Sequence, residues 1–403
     1  MSGLVRPAPL HSPARISSAK HSVAIVFALN GLVFSSWSAR LPAVRDQLDL
    51  SVGRIGLVLL ALSAGSLVML PSAGAVISAL GPARTVLTGV LIGSAGVVAV
   101  GLAPDVWLLA AGLFLTGAGM GAWDVAMNVE GAEVERRIGR VVMPRFHAAY
   151  SLGTVGGAGS GALAAALDVS PRVHLPLVAL VVLIGGTLAQ RRFVALPGET
   201  EDGAQARSRV RSVLAAWAEP KTLLIGALVF SMALAEGAAN DWLALAVVDG
   251  YGAPHALGAG VFAVFVIGMT VTRMAGPALL ERVENARALR ISAVLVLLGS
   301  GLVISGTLVP GPGAYPMAVV GALLWGVGAA LGFPMGMTAA AADPVNSAAR
   351  VGVVSTIGYT AFIAGPPVLG AVGQQVGVAL SLAGVSLAVL LALITAGAVR
   401  SSR

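Results

Sequence analysis

The chain contains no cysteine, and charged and aromatic residues are scarce. Asp, Glu, Lys and Arg make up 11% of its 403 residues, whereas soluble globular proteins carry roughly 25%. The lack of cysteine excludes disulfides, thiol nucleophiles and Cys-ligated metal sites. Because so little charge accompanies 57% hydrophobic residues and a mean hydropathy of +0.90, the composition predicts a helical membrane protein with many spans.

Catalytic and nucleotide-binding patterns are absent as well. The sequence has no GxxxxGK(S/T) phosphate-binding loop, which argues against ATP-driven transport unless a partner supplies the ATPase. It has no HExxH or other metal-ligand spacing among its five histidines, so we predict no enzyme activity, no cofactor and no metal. The sequence pI is near 10.7, but the basic residues are spread over many loops. That distribution is typical of membrane topology and not of a nucleic-acid-binding surface.

Long apolar runs of about 20 residues, the length that crosses a bilayer, recur along the chain. The first follows a polar tail, and because many similar runs come after it, we expect it to be retained and not removed as a signal peptide. We predict twelve spans, at residues 21–41, 54–79, 84–102, 106–131, 144–167, 174–194, 221–247, 256–280, 288–308, 316–341, 350–372 and 377–398.

The basic residues indicate the orientation of these spans. An even number of spans places both termini on one side of the membrane. Only Arg40, Arg45, Arg54 and Arg172 lie in the segments assigned to the opposite side, and nearly all other Lys and Arg residues lie on the side of the termini. Because cytoplasmic loops carry the excess of basic residues, we expect both termini in the cytoplasm. We expect a monomer surrounded by lipid in a bacterial-type plasma (inner) membrane.

The longest polar interval, residues 195–220, divides the spans into two groups of six. Its LPGETEDGAQARSR composition is typical of a flexible linker. We predict a tail (1–20), a first bundle (21–194), this linker, a second bundle (221–398) and a short tail (399–403). The bundles resemble each other weakly, as in transporters that bind their substrate between two repeats near the bilayer midplane.

A polar stripe follows one face of the predicted span 106–131. At 100° per residue, this face carries Gly117, Gly121, Asp124, Asn128 and Gly131. The glycines let a neighbouring helix approach closely. Acids inside membrane segments are costly and by default functional, so we interpret Asp124 as a proton- or substrate-binding carboxylate. The alternative is a packing role, with Asp124 hydrogen-bonded to a neighbouring helix.

A second acid, Glu236, has a corresponding place in the second bundle. Glu236 and Asn240 share a helix face near mid-membrane, as Asp124 and Asn128 do. We therefore predict proton coupling at Asp124 and Glu236. Arg273, in the next span, either pairs with an acid or extends to the cytoplasmic surface.

Further polar and aromatic residues in the spans are candidates for solute binding, with helix packing or interfacial anchoring as the alternative roles. The solute-binding candidates are Asn30, Trp37, Asn128, His147, Ser151, Asn240, Trp325 and Tyr359. Charged residues near span ends are candidates for gating or ion pairing. These are Arg40, Glu130, Arg145, Asp241 and Arg273.

Local irregularities are expected at three places. Gly332-Phe333-Pro334 predicts a helix break, and Gly365-Pro366-Pro367 predicts a kink. Arg40, Arg45 and Asp46 are expected in a solvated outer loop, where they are placed to form gating pairs.

The resemblance to a known family rests on four stretches: SSWSARLPAVRDQLDLS, GAWDVAMNVEGAEVERR, MPRFHAAYSLGT and EGAANDWLAL. They resemble the major facilitator superfamily, in the branch of the fucose/proton symporter and the rhizopine-cluster membrane proteins. The resemblance covers nearly the whole chain and implies two pseudo-symmetric six-helix bundles. In the sugar symporter, a helix-four acid and an Asn four residues later serve proton coupling or substrate binding, which corresponds to Asp124 and Asn128. The symporter's helix-one acid falls on Ser38, so that carboxylate is missing.

These features predict a secondary transporter that couples protons to a small polar solute, such as a sugar or cyclitol, by alternating access. Burial disfavours the charged form of a carboxyl group, so protonation of Asp124 would let proton and solute move together. One alternative is an antiporter that exports drugs or metabolites, and another is a non-transporting membrane sensor. The 5% aromatic content favours a polar ligand over an apolar one.

Overall fold

The computed structural model describes residues 13–194, 214–342 and 347–399, and within these ranges the secondary structure is entirely helical. The first half of the chain forms α1 (Pro13–Gln47), α2 (Val52–Leu102), α3 (Val106–Ile138), α4 (Met143–Ala166) and α5 (Pro171–Gln190). The second half forms α6 (Pro220–Tyr251), α7 (His255–Leu280), α8 (Asn285–Gly306), α9 (Tyr315–Ala329), α10 (Gly332–Ala340), α11 (Ser347–Val376), α12 (Val378–Ser381) and α13 (Ala383–Thr395). Short 3₁₀ turns lie at Pro312–Ala314 and Ala396–Val399.

Among the described residues, 11 helical segments are long and apolar enough to cross a membrane. The predicted span 144–167 corresponds to α4, which is not one of them. Glycine, serine, threonine and histidine replace aliphatic residues along α4 and lower its hydropathy. The count of twelve spans and the cytoplasmic position of both termini therefore stay predictions.

The helix α2 contains two of these segments, Val52–Met69 and Gly74–Leu102. Gly81, which has a φ of 78°, interrupts its helical geometry. Glycine adopts positive φ readily because it lacks a Cβ, and the chain reverses near this position. The turn predicted between residues 79 and 84 is thus present, although helical geometry continues on both sides of Gly81.

Two glycines of the polar stripe in α3, Gly117 and Gly121, pack closely against α2, as predicted. A Cβ added at Gly117 would collide with the backbone carbonyl of Leu62 in α2. One turn further along, Gly121 lies against the backbone of Ser66, and the Ser66 hydroxyl donates a 3.0 Å hydrogen bond to the Gly117 carbonyl. Close backbone contact of this kind is how helices associate within a bilayer.

The two proline-containing sequences behave differently. The predicted break at residues 332–334 is present, because the helical hydrogen-bond pattern is interrupted between α9 and α10. Pro334 lies in the first turn of α10, where its missing N–H costs nothing. At the second site, α11 continues through both Pro366 and Pro367.

The bundle has two ends, which we name by their chain connections. The linker face holds the end of α5 and the start of α6. The far face holds the end of α1 and the turn between α6 and α7. At the far face the two halves of the chain meet, since Gln374 at the end of α11 accepts a 3.0 Å hydrogen bond from the Gly53 N–H at the start of α2.

Candidate functional site

Asp124 lies in α3 and faces the space between the two halves of the chain. Its side chain is accessible to solvent and yet has protein atoms on nearly all sides, as expected on the wall of a deep cleft. It lies within electrostatic range of Tyr150 in α4 and of Tyr359 in α11. Because Tyr359 belongs to the second half, Asp124 points across the interface and not toward lipid. Within the part of the chain that the structure describes, no cation pairs with it.

We infer from the positions of the contacts between the halves that the cleft opens toward the linker face. Between α2 and α11, the hydrogen bonds that join the halves extend from the far face to Ser63, whose hydroxyl donates a 3.1 Å hydrogen bond to the Phe362 carbonyl. Ser63 is level with Gly117, because the neighbouring Leu62 is the residue that Gly117 contacts. Asp124 lies two turns further along α3, roughly 10 Å closer to the linker face at 1.5 Å per residue. Asp124 therefore lies on the linker-face side of the contacts between α2 and α11.

Asn128 continues the stripe one turn beyond Asp124. Its side-chain amide donates a 2.9 Å hydrogen bond to the Asp124 backbone carbonyl, and the residue is half-buried. The Asn128 amide oxygen remains on the same face as the carboxylate. The pair thus presents one acid and one amide acceptor along a single line of α3.

Glu236 and Arg273 form an ion pair between α6 and α7. The guanidinium donates to both carboxylate oxygens, at 2.7 and 2.8 Å, and the side chains are 15% and 24% exposed. The Arg273 Nε–H also donates to the Ala330 carbonyl at the break between α9 and α10, at 3.2 Å. Arg273 therefore pairs with an acid, and the alternative in which it extends to the membrane surface is wrong. Its charge and the freed carbonyl at the helix break are both satisfied inside the bundle.

Tyr150 lies near both of these groups, and its sequence pattern did not mark it as a candidate. It lies in α4 within electrostatic range of Asp124 in the first half and of Arg273 and Glu236 in the second. Its position three residues after His147 places both on one face of α4, but nothing in the sequence distinguishes it from an ordinary packing aromatic. Tyr150 thus lies near both the acid of one half and the ion pair of the other.

His147 and Ser151 lie beside Tyr150 at the same interface. His147 is exposed, makes an edge contact with the ring of Phe27 at 5.2 Å, and is within electrostatic range of Arg273. Ser151 is buried, and its carbonyl accepts a 3.4 Å hydrogen bond from the Thr270 hydroxyl of α7. These contacts join α4 to α7 across the two halves.

Tyr359 contributes an aromatic wall in the second half. The ring is 43% exposed and lies between Phe333 of α10 and Phe362 of α11, with ring centroids 6.1 and 6.5 Å away. This wall offers an apolar surface and one hydroxyl group to the cleft that Asp124 faces.

Four of the predicted solute-binding residues are packed away from solvent in this conformation. Asn30, Trp37 and Asn240 are buried, and burial of Trp37 does not fit an anchor at the lipid interface. Trp325 is fully buried, where its indole N–H donates a 3.1 Å hydrogen bond to the Ala235 carbonyl. Among the described atoms, the Asn30 Nδ2 and the Trp37 Nε1 have no hydrogen-bond partner.

The predicted gating residues have different surroundings. Arg40 is 3% exposed and donates to the Val169 carbonyl at 2.5 Å, so the expected solvated position was wrong. Glu130 is fully buried and accepts a 2.5 Å hydrogen bond from the Val194 N–H. Arg145 is exposed, and Asp241 is half-buried on α6.

The far face carries ion pairs between the halves. Arg45 of α1 reaches Asp249 of α6 at 2.5 and 2.8 Å, and Asp46 lies 2.8 Å from the His255 ring of α7. A cavity of about 710 Å³ adjoins them and is lined by Arg40, Asp46, Asp168, Ser170 and His255, among others. Arg45 and Asp46 thus contact the second half at the far face, and their role in gating stays a prediction.

Comparisons with known proteins agree with this architecture. The family model described as Major Facilitator Superfamily matches residues 23–366. The chain is 32% identical over 361 residues to the uncharacterized transporter y4wD of Sinorhizobium fredii, covering 89% of this chain and 92% of that protein. It is 26% identical over 358 residues to the membrane protein MosC of Rhizobium meliloti, covering 88% and 84%. The crystal structure of the nucleoside transporter NupG superposes with a TM-score of 0.74 at 16% identity, covering 94% of this chain and 98% of that one.

Proposed function

This chain belongs to the major facilitator superfamily of secondary transporters, as its motifs predicted, and we propose that it couples protons to a small, neutral, polar solute in symport. The solute is sugar-like or cyclitol-like. In the predicted orientation the linker face is cytoplasmic, and the protein works as a monomer in a bacterial-type inner membrane. Transport follows alternating access, in which the two halves rock about the solute.

The observation that carries this proposal is the contrast between the two acids. Glu236 is balanced by Arg273 at 2.7 Å, whereas Asp124 has no cation partner among the described residues. A carboxylate without a partner is costly in a closed, water-poor site, and a proton removes that cost. We therefore assign proton coupling to Asp124 in preference to Glu236, and Glu236 serves to hold Arg273 in place.

The balance of charge supports a neutral solute. With Asp124 protonated, the central groups Asp124, Glu236 and Arg273 sum to zero charge. A charged solute enclosed among them would bring an uncompensated charge into the closed protein, which is strongly unfavourable. Hydroxyl groups, by contrast, match the hydrogen-bonding groups of Asn128 and Tyr150, and the Tyr359 ring covers an apolar ring face.

The test is transport into proteoliposomes, with labelled myo-inositol and hexoses as the first probes. Asp124→Asn mimics the protonated acid, so we expect solute exchange without a gradient to continue and accumulation driven by a pH gradient to be lost. Asp49→Asn is the matched control, because Asp49 is exposed on the far face and asparagine tolerates its φ of 48°.

Two results would count against this function. Gradient-driven accumulation at the wild-type level in Asp124→Asn would remove Asp124 as the coupling site. If an inward proton gradient drives the probe out of preloaded vesicles, the protein is an antiport exporter.

A further inference from the structure

The far face is closed by two adjacent residues of α1 that contact both ends of one turn. Arg45 donates two hydrogen bonds to Asp249, at 2.5 and 2.8 Å. Asp46, the next residue, lies 2.8 Å from the Nε2 of His255. Asp249 lies in the last turn of α6, His255 begins α7, and Gly252 between them has a φ of 60°. This tight turn of the second half is therefore held by the first half at both of its ends.

We propose that His255 makes closure of the far face sensitive to the proton concentration on that side. This goes beyond the proposed coupling at Asp124, because it concerns a different group at the opposite end of the cleft. Histidine is the side chain whose charge ordinarily changes between about pH 5 and 8. Its contact with Asp46 is an ion pair only when the ring is protonated.

Counting charges gives the direction of the effect. With His255 neutral, Arg45 alone balances two carboxylates, those of Asp46 and Asp249, and the cluster carries one excess negative charge. Protonation of His255 brings the cluster to zero and turns the contact with Asp46 into a charge-assisted hydrogen bond. Acidification therefore stabilises the closed far face.

The other charged groups facing His255 do not reverse this sign. Arg40 and Asp168 line the same cavity, and their opposite charges offset each other. The start of α7 disfavours a cation through its helix dipole, and the Asp46 carboxylate at 2.8 Å opposes that effect. Asp46 and His255 are each 40% exposed, so the contribution is that of a solvent-accessible pair. At such pairs we expect a roughly 1.5- to 5-fold change in the ratio of closed to open protein.

In the predicted orientation the far face is external. When the external pH is low and no solute is bound, protonated His255 would then hold the external side closed and limit the entry of protons without solute. Solute binding has to overcome this additional stabilisation before the far face opens.

The natural absence of cysteine allows a direct test. Arg54→Cys and Gln375→Cys place spin labels on exposed positions beside the Gly53–Gln374 contact. Double electron–electron resonance spectroscopy in nanodiscs then measures the distance between the two labels, one on each half. The background is Asp124→Asn, which removes the central pH response, so failure here is distinct from failure of the coupling proposal. We expect the closed population to rise between pH 8 and 5 by the factor given above.

Three variants complete the experiment. His255→Gln keeps a hydrogen-bond donor without titrating, so the pH response should vanish. His255→Arg should stay closed at every pH. Asp249→Asn removes the Arg45 contact between the halves, so it should lower the closed population at every pH and weaken the pH response, because the cluster is then already neutral with His255 uncharged. A pH response in His255→Gln equal to that of the parent, or no response in the parent, would overturn the proposal.

Discussion

Removing Glu236 and Arg273 together should destabilise the protein by less than the sum of the two single substitutions. Replacing Arg273 with Gln leaves the Glu236 carboxylate charged inside the bundle without its cation. Removing one partner of a fully buried pair costs about 3–5 kcal/mol. Because the two side chains are 15% and 24% exposed and adjoin the cleft, we expect about 2 kcal/mol for either single substitution. In Glu236→Gln/Arg273→Gln neither charge is stranded, and we expect a coupling free energy of about 1–2 kcal/mol.

The assay is reversible unfolding in mixed detergent micelles, followed by tryptophan fluorescence, for the parent, both single variants and the double variant. Glu133 and Arg136 supply a matched control, since they form a pair at 2.7 Å in which the arginine side chain is 73% exposed. Their coupling should be below about 0.5 kcal/mol. If the Glu236 and Arg273 effects add to within about 0.5 kcal/mol, the pair does not form in the protein.

Two further substitutions test the packing and the connection between halves. Gly117→Ala should lower the melting temperature, because the added Cβ collides with the Leu62 carbonyl. The control is Gly159→Ala, whose Cβ meets nothing within 4 Å and which should be neutral or stabilising by about 0.4–1 kcal/mol. Equal melting temperatures of the two variants would contradict the Gly117–Leu62 contact. Tyr150→Phe removes a hydroxyl that lies near both Asp124 and the Glu236–Arg273 pair. If this hydroxyl hydrogen-bonds a charged group during transport, gradient-driven uptake should fall about tenfold, with less effect on exchange. Equal loss of both would indicate a purely structural role.

The fold and the face of Asp124 could be predicted from the sequence because they depend on local periodicity. Apolar runs of fixed length mark helices in a bilayer, and residues three or four apart share a face, so the stripe of Gly117 and Asp124 was placed correctly. The packing of Gly117 on Leu62 follows from the same pattern. The helix α4 is too weakly apolar to count as a membrane span by this criterion, so the length of an apolar run alone does not identify every span.

Partners across the bundle could not be predicted, because they depend on how separate helices are arranged. Arg273 was expected to extend to the surface or to pair, and only the break between α9 and α10 brings a carbonyl and Glu236 to it together. Arg40 likewise has the sequence pattern of an outer-loop residue, and it is buried only because α4 and the turn after it cover it. Tyr150 has an ordinary aromatic signature, and its place near both Asp124 and Arg273 exists only in three dimensions.

The proposed proton site requires that Asp124 faces water in a cleft open to the linker face. The most direct measurement is the reactivity of Asp124→Cys, in this otherwise cysteine-free chain, toward a membrane-impermeant maleimide applied to each side. Val129→Cys is the matched control, exposed on the same helix but away from the Asp124 face. We predict that Asp124→Cys reacts rapidly from the linker face and that Val129→Cys, in lipid, does not react. An unreactive Asp124→Cys from both sides in folded protein would contradict the aqueous cleft and the coupling mechanism with it.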